Sequence, residues 1–192
     1  MRSLIIRPIQ AGFTLVELLI VVIIIAILAA IVVPQFSTAT IDAQEAALDS
    51  NLSAMRSAIE LYRAQHSGVY PGFVISSGAS CTSGVAGTGT LTTTAQPLLD
   101  QLLQYSNVSG QTCTGGDTTT FKFGPYMRKM PSDSITVPAK GSAVGDIVVT
   151  SAGTPIANPA AATGGWAYDS KSGQLIMNSN ANDSKTKPYY TH

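Results

Sequence analysis

One long apolar run near the start of the chain limits what the whole protein can be. Residues 13–33 read FTLVELLIVVIIIAILAAIVV, and only Thr14 and Glu17 among them have polar side chains. About 20 apolar residues let a helix cross the hydrocarbon core of a bilayer. Cleaved secretory signals have shorter cores of roughly 7–15 residues, and no convincing A-x-A cleavage site follows this run. We therefore expect residues 13–34 to form a transmembrane helix that stays with the protein.

The charges beside the run predict its orientation in the membrane. Arg2 and Arg7 precede it, and the next basic residue along the chain is Arg56. Basic residues are enriched on the cytoplasmic side of a membrane span. The prediction is a single-pass protein with a cytoplasmic N-terminus, in which everything after Pro34 lies outside the cytoplasm.

The helical pattern continues beyond Pro34 and changes character. Apolar residues recur at steps of seven, four, three, four and three, which is the spacing of one helix face. Gly68 and Pro71 are stop signals for a helix. Residues 35–66 are therefore expected to form an amphipathic helix that packs on a head domain. The apolar stripe consists of Ile41, Leu48, Leu52, Met55, Ile59 and Tyr62.

Residues 67–192 are expected to form that head, as a small α+β domain. Residues 97–105 suit a short helix with Pro97 in its first turn, and residues 146–150 are typical of a strand. Residues 166–177 read WAYDSKSGQLIM, two short runs around a turn, which predicts a β-hairpin. We expect Trp166 to be a core anchor. Residues 76–94 and 106–120 are predicted to be loops.

The composition and motifs of the chain argue against catalysis. Charged residues are 11% of the chain, against roughly 25% in ordinary domains, and no basic stripe favours nucleic acid. No G-x-S-x-G, H-E-x-x-H or G-x-x-x-x-G-K pattern occurs, and the two histidines are His66 and His192. We expect His66 to cap the long helix. A membrane-anchored periplasmic enzyme is the alternative from a different class.

Cys81 and Cys113 are the two cysteines of the chain. Their spacing is not that of a redox C-x-x-C pair, and two cysteines cannot form a tetrahedral zinc site alone. In an exported domain the expected state is one disulfide that closes a 33-residue loop. The alternative is a pair of buried free thiols.

Two residues are unusual for a plain membrane helix. Glu17 places a carboxylate in the apolar run, and Pro34 removes one helical hydrogen bond. Each has a simple explanation on its own. Glu17 can lie at the level of the lipid headgroups, and Pro34 can kink the helix where it leaves the membrane.

The sequence G-F-T-L-V-E at residues 12–17, after a short leader with two arginines, resembles the prepilin peptidase site of type IV pilins and type II secretion pseudopilins. The resemblance implies a leader of residues 1–12, cleavage after Gly12 and N-methylation of Phe13. It also implies that Glu17 pairs with the N-terminal amine of a neighbouring subunit in the filament core. Pro34 stands where many members of this family carry a proline.

The same resemblance implies a fold, a location and a set of partners. The fold is the type IV pilin-like one, a long N-terminal helix packed on a small antiparallel β-sheet head. The partners are copies of the chain itself in a helical homopolymer, the prepilin peptidase and methylase, an inner-membrane assembly platform and minor pilins or pseudopilins. The chain would reside in the bacterial inner membrane before it enters a periplasmic or surface filament.

The head adds a second resemblance. Residues 124–131 and the W-A-Y-D segment of the hairpin are similar to heads of G-type major pseudopilins, although Ser134 stands where those proteins often continue Pro-x-x-Pro. Those proteins bind calcium in a head loop, and Asp133, Asp146 and Asp169 are oxygen donors in this region. Their spacing matches no known calcium loop, so we expect solvated loop aspartates and no cofactor. The hairpin favours a secretion pseudopilin, and the neutral Ser/Thr-rich head leaves open a pilus subunit for adhesion, motility or DNA uptake.

Overall fold

The computed structural model describes residues 12–192. The predicted leader, with Arg2 and Arg7, lies outside the described residues apart from Gly12. The chain divides between Ile41 and Asp42 into two compact units. Helix α1, Leu15–Gln65, begins in the first unit and ends in the second.

The first unit consists of the apolar part of α1. Its large apolar side chains, from Leu15 to Phe36, are all exposed. By length and composition, α1 is the one helix among the described residues that could cross a membrane. An apolar surface of this extent needs lipid or other protein to cover it.

In the second unit α1 is amphipathic, and one face of it carries the core of the head. The predicted stripe is buried from Leu48 through Tyr62, whereas Ile41, in the first unit, is 41% exposed. Glu45 is also buried on this face. The 3.6-residue period of the sequence therefore identified the packed face of the helix correctly.

The end of α1 is formed by the residues that the sequence suggested. Gly68 adopts a positive φ of 85°, and its N–H donates to the Arg63 carbonyl at 2.9 Å. The Tyr62 carbonyl accepts from the His66 backbone N–H at 3.0 Å, and the His66 ring lies 2.9 Å through Nδ1 from the same oxygen. The His66 ring thus lies at the end of the helix, and its role as a cap stays a prediction.

The disulfide loop contains a helix and a small sheet. Helix α2 is Ala95–Leu103, close to the predicted residues 97–105, and its Leu98 and Leu102 are fully buried. Strands β1, Tyr105–Ser106, and β2, Thr112–Cys113, pair antiparallel. The prediction of continuous loop over residues 106–120 is therefore wrong at these two short strands.

The larger sheet has the strand order β3-β4-β5. Strands β4, Trp166–Asp169, and β5, Leu175–Met177, form the predicted hairpin, with Trp166 opposite Met177 and Tyr168 opposite Leu175. Strand β3, Ile147–Thr150, pairs with β4 in parallel. The predicted α+β fold with a long N-terminal helix and a small sheet is confirmed, and its larger sheet is mixed.

Trp166 is the core anchor that the sequence predicted. It is fully buried among core side chains of α1, α2 and the sheet, and its indole N–H donates to the Pro131 carbonyl at 2.9 Å. A buried indole needs such a partner because its N–H would otherwise lose a hydrogen bond to water.

The last residues of the chain are tied to α1, which the sequence did not suggest. Arg56 donates through one nitrogen to the carbonyl oxygens of Leu175 at 2.9 Å and His192 at 2.7 Å. The carboxylate of Glu45 accepts from the N–H and the hydroxyl of Ser184, both at 2.7 Å. These contacts hold residues 182–192 against the helix.

Candidate assembly site at the start of the long helix

The residues of the predicted processing site lie at the beginning of α1. Gly12, Phe13 and Thr14 precede the first helical residue, Leu15. Phe13 is 86% exposed, and a Cβ added at Gly12 would meet no other atom of the described residues within 4 Å. The bond between Gly12 and Phe13 is therefore open to an approaching enzyme. Cleavage and methylation at this bond stay predictions.

Glu17 forms a reciprocal cap with Thr14. The Glu17 backbone N–H donates to the Thr14 hydroxyl at 3.2 Å. In return, the Glu17 carboxylate accepts from the Thr14 backbone N–H and from its hydroxyl, both at 2.9 Å. This arrangement is the capping box, in which Thr occupies the N-cap and Glu the third helical position. It satisfies N–H groups that the first helical turn leaves without partners.

The cap occupies only one of the two carboxylate oxygens of Glu17. Both contacts from Thr14 go to Oε2, and within the described part of the chain no donor hydrogen-bonds to Oε1. Oε1 can therefore accept from a group outside the chain while Oε2 keeps the helix cap. A positive amine is the donor that a carboxylate in apolar surroundings binds most strongly.

The sequence contains a local signal for this cap. Thr14 and Glu17 have the T-x-x-E spacing of a capping box directly before an apolar run. The cap gives Glu17 a structural role in its own helix, in addition to the predicted role between subunits. Experiments on Glu17 must separate these two roles.

Pro34 lies inside α1, as predicted. Four residues later the hydroxyl of Thr38 donates to the Pro34 carbonyl at 3.0 Å, and the hydroxyl of Thr40 donates to the Phe36 carbonyl at 2.8 Å. Hydroxyls bonded in this way compete with the helical N–H groups and favour bending. The assembly role of Pro34 stays a prediction.

Cys81 and Cys113 form a disulfide in the second unit, as predicted. Their Cα atoms are 5.9 Å apart and they are separated by 32 positions in the sequence. The bridge joins the loop before α2 to strand β2. It therefore links the segments on the two sides of α2 covalently.

Two of the three candidate oxygen donors of the head, Asp133 and Asp169, are not the solvated loop aspartates that we expected. Asp133 is 1% and Asp169 0% exposed, and Asp146 is half-buried. Backbone N–H groups bind Asp133 and Asp169 closely, which is why these carboxylates can be buried. Among residues 12–192, no three His, Cys, Asp or Glu side chains converge on a point that could hold a metal ion.

Comparison with known proteins finds a family motif near the start of the chain and curated relatives that match part of its length. The family described as the prokaryotic N-terminal methylation motif matches residues 7–33. The chain is 47% identical over 58 residues to the type IV narrow pilus major component PilA5 of Thermus thermophilus, which is 30% of this chain and 50% of that protein. It is 48% identical over 54 residues to the type IV major fimbrial protein FimA of Dichelobacter nodosus, which is 28% of this chain and 35% of that one.

The chain thus spans about half, or less, of the length of the curated relatives it matches. No solved structure matches it. The matched family motif includes the whole stretch from Gly12 to Glu17, the part of the chain in which the helix cap and the exposed peptide bond are found. This chain is thus similar, over part of its length, to type IV pilins, and residues 7–33 carry the prokaryotic N-terminal methylation motif.

Proposed function

We propose that this chain is a structural subunit of a type IV pilus-like filament. The observation that carries the proposal is the apolar part of α1, which is exposed over its whole length and lies largely within the matched methylation motif. In the membrane, lipid covers this surface. In a filament, the same surface packs against the α1 helices of other copies, so the chain needs no new fold to change from one state to the other.

Glu17 directs this assembly in the proposed mechanism. A prepilin peptidase cleaves after Gly12 and creates an amine at Phe13, which is then methylated. The amine of one subunit binds the free Oε1 of Glu17 in its neighbour, while Oε2 keeps the cap with Thr14. A buried carboxylate without a partner is strongly unfavourable in an apolar bundle, so an incoming subunit is stable only in the register that forms the pair.

Substitutions at Glu17 test the proposal. Glu17→Leu makes the span more apolar and leaves Gly12 intact, so we expect normal insertion and cleavage but little or no filament. The measurement is the yield of sheared filaments relative to mature subunit in the membrane. A normal yield for Glu17→Leu would remove the docking role.

Two further variants separate docking from helix capping. Glu17→Gln keeps an oxygen that can accept from the Thr14 N–H, since Gln also forms capping boxes, but it loses the charge. Thr14→Ala removes the hydroxyl from the box, at a cost of about 1 kcal/mol, and keeps the charge of Glu17. We expect Glu17→Gln to assemble poorly and Thr14→Ala to assemble well. The reverse result would assign the effect of Glu17 to capping alone.

At a finer level we propose the main pseudopilin of a type II secretion system, in which the filament acts in the periplasm. The β4–β5 hairpin supports this role, because residues 166–169, which resemble G-type pseudopilins, form its first strand. The second candidate is a surface type IV pilus subunit, which the names of the matched relatives support. Those matches cover 30% or less of this chain.

Deletion of the gene tests the finer role. Loss of protein export with no change in surface filaments supports the pseudopilin. Loss of surface filaments, with export intact, supports the pilus subunit. In either case the assembly platform, the peptidase and the minor subunits are the partners that the proposal requires.

The mature N-terminus tests the proposal against the alternative of a membrane-anchored enzyme. Mass spectrometry of the membrane-bound protein should find methylated Phe13 at the N-terminus. An unprocessed chain that begins at Met1 would instead favour the anchored enzyme.

A further inference from the structure

The resemblance to G-type pseudopilins implies a calcium ion in the head, and the structure allows a test of whether the residues fit one. Calcium takes six to eight oxygen ligands at about 2.3–2.6 Å, and carboxylates supply most of its charge compensation. A carboxylate that already accepts hydrogen bonds from N–H and O–H groups would have to lose those hydrogen bonds in order to coordinate a cation. The hydrogen bonds of the candidate aspartates therefore decide the fit.

Asp133 is saturated by donors from its own loop and from the sheet. Its Oδ1 accepts from the N–H groups of Ile135 at 3.1 Å and Thr136 at 2.7 Å. Its Oδ2 accepts from the N–H groups of Lys140 at 3.3 Å and Gly165 at 2.7 Å. The Thr136 hydroxyl lies within 2.8 Å of both oxygens. One buried carboxylate thus holds the 135–140 loop to the residue before β4.

Asp169, at the end of β4, is saturated in the same way. Its Oδ1 accepts from the N–H groups of Lys171 at 3.0 Å and Ser172 at 2.7 Å. Its Oδ2 accepts from the Ala152 N–H at 2.9 Å and the Thr150 hydroxyl at 3.0 Å. The Gly153 N–H lies 3.2 Å from the same oxygen. This carboxylate therefore ties the turn of the hairpin to the segment that leaves β3.

The other groups near the 135–140 loop do not complete a cation site either. Asp146 accepts from the Gly141 N–H at 3.1 Å through Oδ2. The ammonium group of Lys140 donates to the Thr163 carbonyl at 2.9 Å. The Thr163 carbonyl, a type of ligand that calcium uses, is thus already bound by the ammonium group of Lys140. The donor set does not fit a calcium ion.

We propose that Asp133 and Asp169 take the place of a divalent cation in this head, and that the head is as stable without calcium as with it. In a calcium-binding head, one ion gathers oxygen atoms from several loops. Here each aspartate instead accepts hydrogen bonds from N–H groups of several loops. The proposal concerns the stability of the second unit and does not depend on whether the chain assembles.

The test uses the full-length mature chain in detergent micelles. Trp166 is the only tryptophan of the chain and follows Gly165, which donates to Asp133, so its fluorescence reports on this network. We expect the same melting temperature in millimolar calcium and in excess EDTA. A cation at a hundred times its dissociation constant would raise the melting temperature by roughly 5–10 °C in a chain of this size, so a calcium-dependent rise of that order would overturn the proposal.

Asparagine variants test the anchoring role of the aspartates. Asp133→Asn replaces one acceptor oxygen by an NH2 group that faces other donors, and we expect a loss of roughly 2–12 °C in melting temperature that calcium does not restore. Asp42→Asn, at an exposed position of α1, is the matched control and should melt like the wild type. An Asp133→Asn variant as stable as this control would refute the anchoring role. If Asp133→Asn does not fold, the comparison of calcium and EDTA on the wild-type chain still decides the proposal.

Discussion

Removal of the disulfide should destabilise the head by an amount that the structure allows us to estimate. The bridge from Cys81 to Cys113 closes a loop with a sequence separation of 32. The loss of chain entropy in the unfolded state corresponds to roughly 3–4 kcal/mol for a loop of this length. For a chain of this size, that free energy is a decrease of roughly 6–16 °C in melting temperature.

Cys81→Ser is the cleaner of the two possible substitutions. Cys81 is half-buried in an irregular segment, whereas Cys113 is fully buried in β2, so a change at Cys113 would also disturb packing. Helix α2, inside the loop, keeps its own buried contacts through Leu98 and Leu102. We therefore expect Cys81→Ser to fold with unchanged secondary structure and to lose stability through the unfolded state.

Urea unfolding of the full-length chain in detergent measures the effect. The comparison includes the wild type, the wild type under reducing conditions, Cys81→Ser, and Ser80→Ala as an exposed neighbouring control. The reduced wild type and Cys81→Ser should lose similar amounts of unfolding free energy, and Ser80→Ala should lose none. A loss below about 1 kcal/mol in both would show that the loop entropy is not the main effect. Two freely alkylated thiols in protein isolated from outside the cytoplasm would contradict the bridge itself.

Three further predictions concern processing, pH and the filament. Gly12→Val should block cleavage, because the added side chain crowds the scissile bond, and intact mass would detect the uncleaved precursor. Burial raises the pKa of Asp133 and of Asp169, but hydrogen bonds from amides and hydroxyls outweigh it and hold both pKa values below the ordinary range. Their contribution to stability is therefore complete above the unfolded pKa of about 4 and is lost as the pH falls through the lower folded values. The difference in melting temperature between the wild type and Asp133→Asn should stay constant from neutral pH to about 5 and shrink below about 4, and a difference that already shrinks near neutral pH would contradict this. The helix should be locally bent or unwound near Pro34 in the filament, and a filament map with straight helix from Ala29 to Pro34 would contradict this.

Several features followed from the sequence because each depends on residues close together in the chain. The apolar run at 13–33 identified the part of α1 that needs lipid or protein around it. The spacing from Leu48 to Tyr62 identified the buried face of the same helix. The hairpin at Trp166–Met177 was predictable because its turn and both its strands lie within one short segment. The capping box of Thr14 and Glu17 is equally local and could have been predicted.

Other features depended on the tertiary structure, because the residues that form them are distant in the sequence. Strand β3 pairs parallel to β4 after a long connection, and no local pattern distinguishes this from an antiparallel pair. The contact of Glu45 with Ser184 joins positions 139 residues apart.

The burial of Asp133 and Asp169 shows most clearly why some features of the head could not be predicted from the sequence. An aspartate in a loop looks like a solvated turn residue in the sequence, because its partners here are mostly backbone N–H groups, and nearly every residue has one. Only the fold determines which N–H groups meet a given carboxylate. The sequence by itself therefore identified the helix, its motif and its packed face, and the tertiary structure decided how the loops of the head are held.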